Sequence, residues 1–255
     1  MNSRGGDGGE IRKVAVAFDP ACGSPDLLNA ASELAASLGA DLEALFIDDQ
    51  DISRLSRLPF GRIVEPLSGK SEIFDDAAVR SRRAGPLARS RAILRDLSRR
   101  HRLAFSVREL PGMALADAAS SSTAELIVVA SFHLKFGGGR TIDRDAWEIA
   151  AQSAGSVLLV SHLPVSVRKI VVVSDDSPAG QRAVAVAARL VRRGAPAETP
   201  PIGHLHPQGQ TAQALAGKVL ALAPTLVIVG LRDAALTAAI QEMSVTETFS
   251  VLTVR

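Results

Sequence analysis

Apolar residues fall along this chain in short unbroken runs, separated by stretches of helical periodicity. Lys13 to Phe18 is apolar after its first residue. Such a run of strand length suits a strand buried on both faces of a parallel sheet. Ser24 then fits a helix N-cap, Pro25 the first helical position, and Asp26 the positive end of the helix. Leu27, Ala31, Leu34 and Leu38 recur at helical spacing before Gly39, which can stop the helix. Leu42 to Ile47 reads as the next strand. Pro86 to His101 reads as a helix, Leu103 to Arg108 as a strand, and Met113 to Ser122 as a short helix. Leu126 to Ala130 is a strand, Asp145 to Gln152 a helix, and Ser156 to Ser161 a closing strand. Between them Asp49 to Gly85 is broken by Pro59, Gly61, Pro66 and Gly69, and reads as an insertion, a candidate flap.

The same scheme then starts again. Val171-Val172-Val173-Ser174-Asp175 repeats Val14 to Asp19, and Ser177-Pro178 repeats Ser24-Pro25. Leu226 to Gly230 repeats Leu126 to Ala130, and Val251 to Val254 repeats Val157 to Val160. Alternating strands and helices predict an α/β protein of two tandem, doubly wound, Rossmann-like parallel-sheet domains. The expected division is a flexible tail over 1–10, a first domain over 11–162 with the insertion near 49–85, and a second over 168–255. The second is expected to be shortened, because only Ile202 to His206 suggests a strand between Ala195 and Gly209.

Composition narrows the class. The 255 residues are 47% hydrophobic but only 4% aromatic, so the core must be aliphatic. A net charge of +2 implies no class of partner. One cysteine excludes an intrachain disulfide and fits a reducing compartment. No apolar run reaches the roughly 18 residues of a membrane span, and 1–10 lack the apolar core of a signal peptide. The expectation is a cytoplasmic protein without membrane partners.

The order of these pieces, and their duplication, resembles a tandem universal stress protein. The resemblance covers most of the first half outside 50–85 and about two-thirds of the second. It implies a five-stranded parallel sheet per domain and, in many members, pairing of two such domains in one chain or as a homodimer. Some members bind ATP or AMP. They carry Gly-x2-Gly-x9-Gly-Ser/Thr after the fourth strand, where glycines let the backbone approach phosphates. Carried onto the first half, those positions fall on Ala130, His133, Asp143 and Arg144, and none matches. In the second half they fall on Gly230, Asp233, Met243 and Ser244, and Asp233 would repel a phosphate. The resemblance therefore implies a degenerate nucleotide motif. Asp19 and Asp175 match the family acid that accepts hydrogen bonds from the base. Gly137, Gly138, Gly139, Arg140 and Thr141 sit late for the motif, yet can form an anion nest before the next helix.

Other clusters weigh less. Arginines crowd 80–102, and on the Pro86 to His101 helix Arg89, Arg91, Arg95 and Arg99 would stand outside a face of Leu87, Ile93, Leu94 and Leu97. Charge runs are mostly solvated faces; used functionally, this one could grip phosphates, nucleic acid or an acidic partner. Without interleaved aromatics or a recognition motif, nucleic acid is disfavoured. His204 and His206 would share a strand face but have no obvious third metal ligand. Ser131 with His133, and Ser161 with His162, lack a nucleophile elbow. Cys22 and Trp147 read as loop and packing residues. The sequence thus predicts a non-catalytic stress-response or regulatory protein acting through protein contacts. The alternative is an ATP- or AMP-binding sensor using Asp19 and Gly137 to Thr141. A hydrolase on the same type of sheet is a remoter third.

Overall fold

The structure, a computed structural model, describes residues 11–18, 25–47, 58, 60, 62–64, 69–73, 76–111, 113–130, 132–134, 140–142, 146, 149, 155–161, 169–193, 202–246 and 249–255. The strands are β1 Lys13–Phe18, β2 Asp41–Ile47, β3 Arg62–Val64, β4 Ser71–Ile73, β5 Phe105–Leu110, β6 Leu126–Ala130, β7 Phe132–Leu134, β8 Arg140–Ile142, β9 Ser156–Val160, β10 Ile170–Ser174, β11 Ile202–Leu205, β12 Leu226–Gly230 and β13 Ser250–Thr253. The helices are α1 Pro25–Leu38, α2 Asp76–His101, α3 Leu115–Ser120, α4 Pro178–Arg193, α5 Ala212–Ala221 and α6 Ala234–Thr246.

Nine strands form one sheet in the order β11-β10-β12-β13-β9-β6-β1-β2-β5. Every pairing in it is parallel except β13 with β9, where Val251, Leu252 and Thr253 oppose Leu159, Leu158 and Val157. That junction joins two runs of the same order. Around β1 the neighbours are β2 and β6, then β9; around β10 they are β11 and β12, then β13. Val14 pairs with Leu42 and Leu126, and Ile170 pairs with Ile202 and Leu226. Val14 and Ile170 therefore hold the same place in their strands. β5 lies beyond β2, and among the described residues no strand lies beyond β11.

Strands buried on both faces need helices on both faces. On one face α1, α2 and α4 bury Leu28, Leu38, Leu94, Leu97, Val186 and Leu190 against Val14, Val16, Val172 and Ile228. On the other, α3 packs Ala118 and Ala119 against Ala15, Ala17 and Leu45, with Ala146 and Ile149 beside them. There α5 and α6 pack Leu215, Val219 and Ile240 against Val171, Val173, Val227 and Val229. α1 and α4 also meet directly, and the Arg189 guanidinium donates to the Leu38 carbonyl at 2.9 Å.

α2 starts at Asp76 and runs through Pro86, rather than starting at Pro86 as its sequence suggests. Proline fits a first helical turn; inside a helix it removes one backbone hydrogen bond and its ring crowds the carbonyl of the preceding turn. Part of the stretch expected to be irregular is therefore helical, and another part forms the β3–β4 hairpin. The 145–152 helix lies mostly outside the described residues.

Candidate functional site

In a sheet of this order the ligand crevice opens where neighbouring connections leave in opposite directions. In the second run this is at the carboxyl ends of β10 and β12. β10 leads through α4 to β11 on one side; β12 lies on the other.

Asp175 follows β10 directly. Its carboxylate accepts the Ser177 N–H at 3.0 Å and the Arg232 N–H at 3.0 Å. Its own N–H donates to the Gly230 carbonyl at 3.3 Å. Partial burial pushes the Asp175 carboxyl up. The Ser177 hydroxyl, the Arg232 and Ser177 N–H groups and the Arg232 guanidinium outweigh that, holding it below its ordinary 3.8. Ser177 caps α4, its hydroxyl accepting the Gly180 N–H at 3.1 Å.

The loop after β12 is closed in the same way. The Asp233 carboxylate accepts the N–H groups of Ala235 at 2.8 Å and Leu236 at 3.2 Å, capping α6. These are amides that a phosphate at this helix start would need. Gly230 has a steric reason to be glycine. A Cβ there would lie 2.4 Å from the Ala179 carbonyl oxygen and 2.7 Å from Ala183 Cβ. The match of Gly230 to a phosphate-binding glycine thus has a packing explanation.

Beside this crevice Ser174 Oγ and His204 Nε2 lie 2.8 Å apart, and His206 Nε2 lies 3.6 Å from Asp176 Oδ1. His204 sits on β11 and His206 just past its end, each with its own partner. Among the described residues no group of three metal-ligating side chains occurs.

In the first run β1 and β6 pair in parallel, so Phe18 and Ala130 stand at the carboxyl ends of neighbouring strands. Asp19, Gly137, Gly138 and Gly139 lie outside the described residues, as do Cys22, Ser131, Trp147 and His162. Arg140 and Thr141 fall in β8, which pairs antiparallel with β7. Two residues of the expected nest are thus hairpin strand residues. Ser161 is buried, and its hydroxyl donates to the Phe249 carbonyl. That is a structural bond rather than that of a poised nucleophile.

The arginine helix keeps its apolar residues inward. Leu94 and Leu97 are buried, and Leu87 and Ile93 pack against them. Arg89, Arg95 and Arg99 are exposed, whereas Arg91 pairs with Glu109 on β5 and Arg100 with Asp96 at 2.8 Å. Between α1 and α2 lies an open groove of about 390 Å³, with Asp26 and Asn29 on one wall and Ile93, Asp96 and Arg100 on the other. The β3–β4 hairpin, just before α2 in the chain, exposes Ile73 at 67% and Val64 at 59%, and Phe60, two residues before β3, is exposed at 79%. The sequence argument missed this apolar surface because breaker residues hid the hairpin.

No family model matches the sequence, and no curated protein matches it. Solved structures do. A universal stress protein from Archaeoglobus fulgidus DSM 4304 superposes with a TM-score of 0.59 at 13% identity, over 95% of this chain and 96% of that one. A putative universal stress protein from Pseudomonas aeruginosa UCBPP-PA14 gives 0.53 at 13% identity, over 96% and 93%. A functionally unknown protein from Pseudomonas aeruginosa PAO1 gives 0.54 at 12%, over 96% and 92%. The chain has the α/β fold of universal stress proteins. Among the described residues no helix is long and apolar enough to cross a membrane.

Proposed function

We propose that this chain is a non-catalytic, universal-stress-protein-like regulatory protein of two tandem units, the second shortened, and that it acts through protein contacts. The observation that carries this is the closure of the second crevice by the protein's own carboxylates. Asp175 takes the Arg232 and Ser177 amides, and Asp233 takes the first amides of α6. A nucleotide would have to displace both and set its phosphates beside a full negative charge. The contact surface is the exposed side of α2, with Arg89, Arg95 and Arg99, and the apolar hairpin before it. Arg91 joins it at the rim, tied to Glu109. An acidic protein surface with an apolar patch fits both parts.

A second reading, an ATP- or AMP-binding sensor, rests on the first run alone. What supports it is that β1 and β6 are parallel neighbours, so Phe18, just before Asp19, and Ala130 end on the same side of the sheet.

Thermal unfolding with and without millimolar ATP or AMP and Mg²⁺ separates the two readings. Ligand at about 100 times its dissociation constant adds about 2.7 kcal/mol. The contact reading expects no shift, and a protein that co-purifies with the chain to be lost when Arg91, Arg95 and Arg99 become Glu. A shift abolished by Asp19→Ala would overturn it in favour of the sensor.

A further inference from the structure

The two ends of the nine-stranded sheet are finished differently. At one end β5 carries Arg108 and Glu109. Arg108 lies 3.8 Å from Glu43, and Glu109 pairs with Arg91. Charged side chains of this kind blunt an edge against further pairing. At the other end β11 reads Ile202-Gly203-His204-Leu205, with no Lys, Arg, Asp or Glu. Among the described residues no strand pairs with its outer side.

The helices on either face beside β11 also carry exposed apolar side chains. Outside the hairpin region, the large apolar side chains that stand exposed among the described residues are Ile202 on β11 at 46%, Val184 on α4 at 44% and Leu220 on α5 at 39%. α4 lies on one face of the sheet and α5 on the other. Comparison with the first run shows what is missing. Counted from their opening prolines, α1 buries Leu28, Ala31 and Ser32 where α4 leaves Gln181, Val184 and Ala185 exposed. α1 has α2 packed on it and β2 has β5 beside it. α4 and β11 have no such neighbours among the described residues.

From this we infer that the β11 end is a homodimer interface, in which two copies pair β11 with β11 antiparallel and extend the sheet across a two-fold axis. An extended peptide would cover β11 but leave Val184 and Leu220 in water. A lone helix would leave the strand's N–H and C=O groups unpaired, and so would a membrane surface. A second copy supplies helix, strand and helix together. α4 meets α4, α5 meets α5, and each exposed apolar residue faces a self-complementary surface. With no formal charge on the strand from Lys, Arg, Asp or Glu, nothing of that kind repels across the axis. The chain already contains one such junction, the antiparallel β13–β9 pair with helices on both faces.

Sedimentation velocity of the full chain up to about 100 µM tests this directly. The wild type is expected to be a dimer. Val184→Glu and Ile202→Lys each place a charge in a different layer and should weaken it about 10-fold or more. Both sites are exposed in the single chain, and circular dichroism melts will show that the variants remain folded. Arg95→Glu, on the proposed partner surface, should leave the dimer intact. A wild type that stays monomeric throughout, or a dimer indifferent to both Val184→Glu and Ile202→Lys, overturns the proposal.

Discussion

The Asp175 carboxylate accepts the backbone N–H of Arg232 at 3.0 Å, across 57 positions of sequence. The bond ties the end of β10 to the loop after β12, the two strands that flank the second crevice. Hydrogen bonds to a charged acceptor contribute about 1.5–3 kcal/mol when buried, and less here because Asp175 is only half-buried. Asp175→Ala should cost about 1–2 kcal/mol in denaturant unfolding. Loss within a few tenths would show that the carboxylate does not hold the crevice shut.

The same residue sets a pH dependence. Its carboxyl is held below 3.8 in the folded state, so the folded protein binds fewer protons there than the unfolded chain. Its contribution is complete above the unfolded value and is lost as pH falls through the lower folded value. Unfolding curves of wild type and Asp175→Asn should therefore converge as the pH falls below 3.8. Parallel curves through that window would contradict the assignment.

Two glycines make opposite predictions. At Gly180 a Cβ would stand 1.9 Å from the Asp175 carbonyl oxygen, a backbone atom that cannot yield. Gly180→Ala should destabilise by about 2 kcal/mol or more. Gly217 lies in α5 with nothing within 4 Å of such a Cβ. Gly217→Ala should stabilise by about 0.5–1 kcal/mol, by removing freedom from the unfolded chain. Melting temperatures of the pair should move in opposite directions.

The contact between the two runs is testable at Arg189. Its guanidinium donates to the Leu38 carbonyl at the end of α1, a helix with no basic residue in its own last turn. A cation there complements the helix dipole. Arg189→Met keeps much of the stem packing and should cost about 1–2 kcal/mol by chemical denaturation. No change would mean that the runs are held together by the sheet and the apolar α1–α4 contact without this hydrogen bond.

Glu43 is a buried carboxylate on β2, reached by the Ser122 hydroxyl at 2.7 Å and Lys13 Nζ at 3.4 Å. Removing Lys13 would leave this buried charge with the Ser122 hydroxyl and the more distant Arg108, at 3.8 Å. Lys13→Met should destabilise by about 1–3 kcal/mol, moderated because Lys13 is itself a third exposed. The double variant with Glu43→Gln should recover part of that loss, which a double-mutant cycle measures.

The apolar runs at Lys13–Phe18, Leu126–Ala130 and Leu226–Gly230 were legible in the sequence alone, because a strand buried on both faces needs continuous apolar residues whatever surrounds it. So was the repeat, and with it the α/β class. The charge conflict at Asp233 was legible too, and its capping role could have been read from an acid standing just before the Ala234 helix. Tertiary structure decided the rest. Pro86 carries the pattern of a helix start, yet the helix begins at Asp76 and runs through it, which the local pattern did not show. The single sheet depends on β13 meeting β9, and no local pattern encodes which edges meet. The carboxylate of Asp175 looks like a ligand group in sequence. Only the approach of Arg232, a residue far along the chain, shows where its hydrogen bonds go. Local periodicity fixes what each segment can be, whereas the partners of polar groups and strand edges are set by segments brought together only in the folded chain.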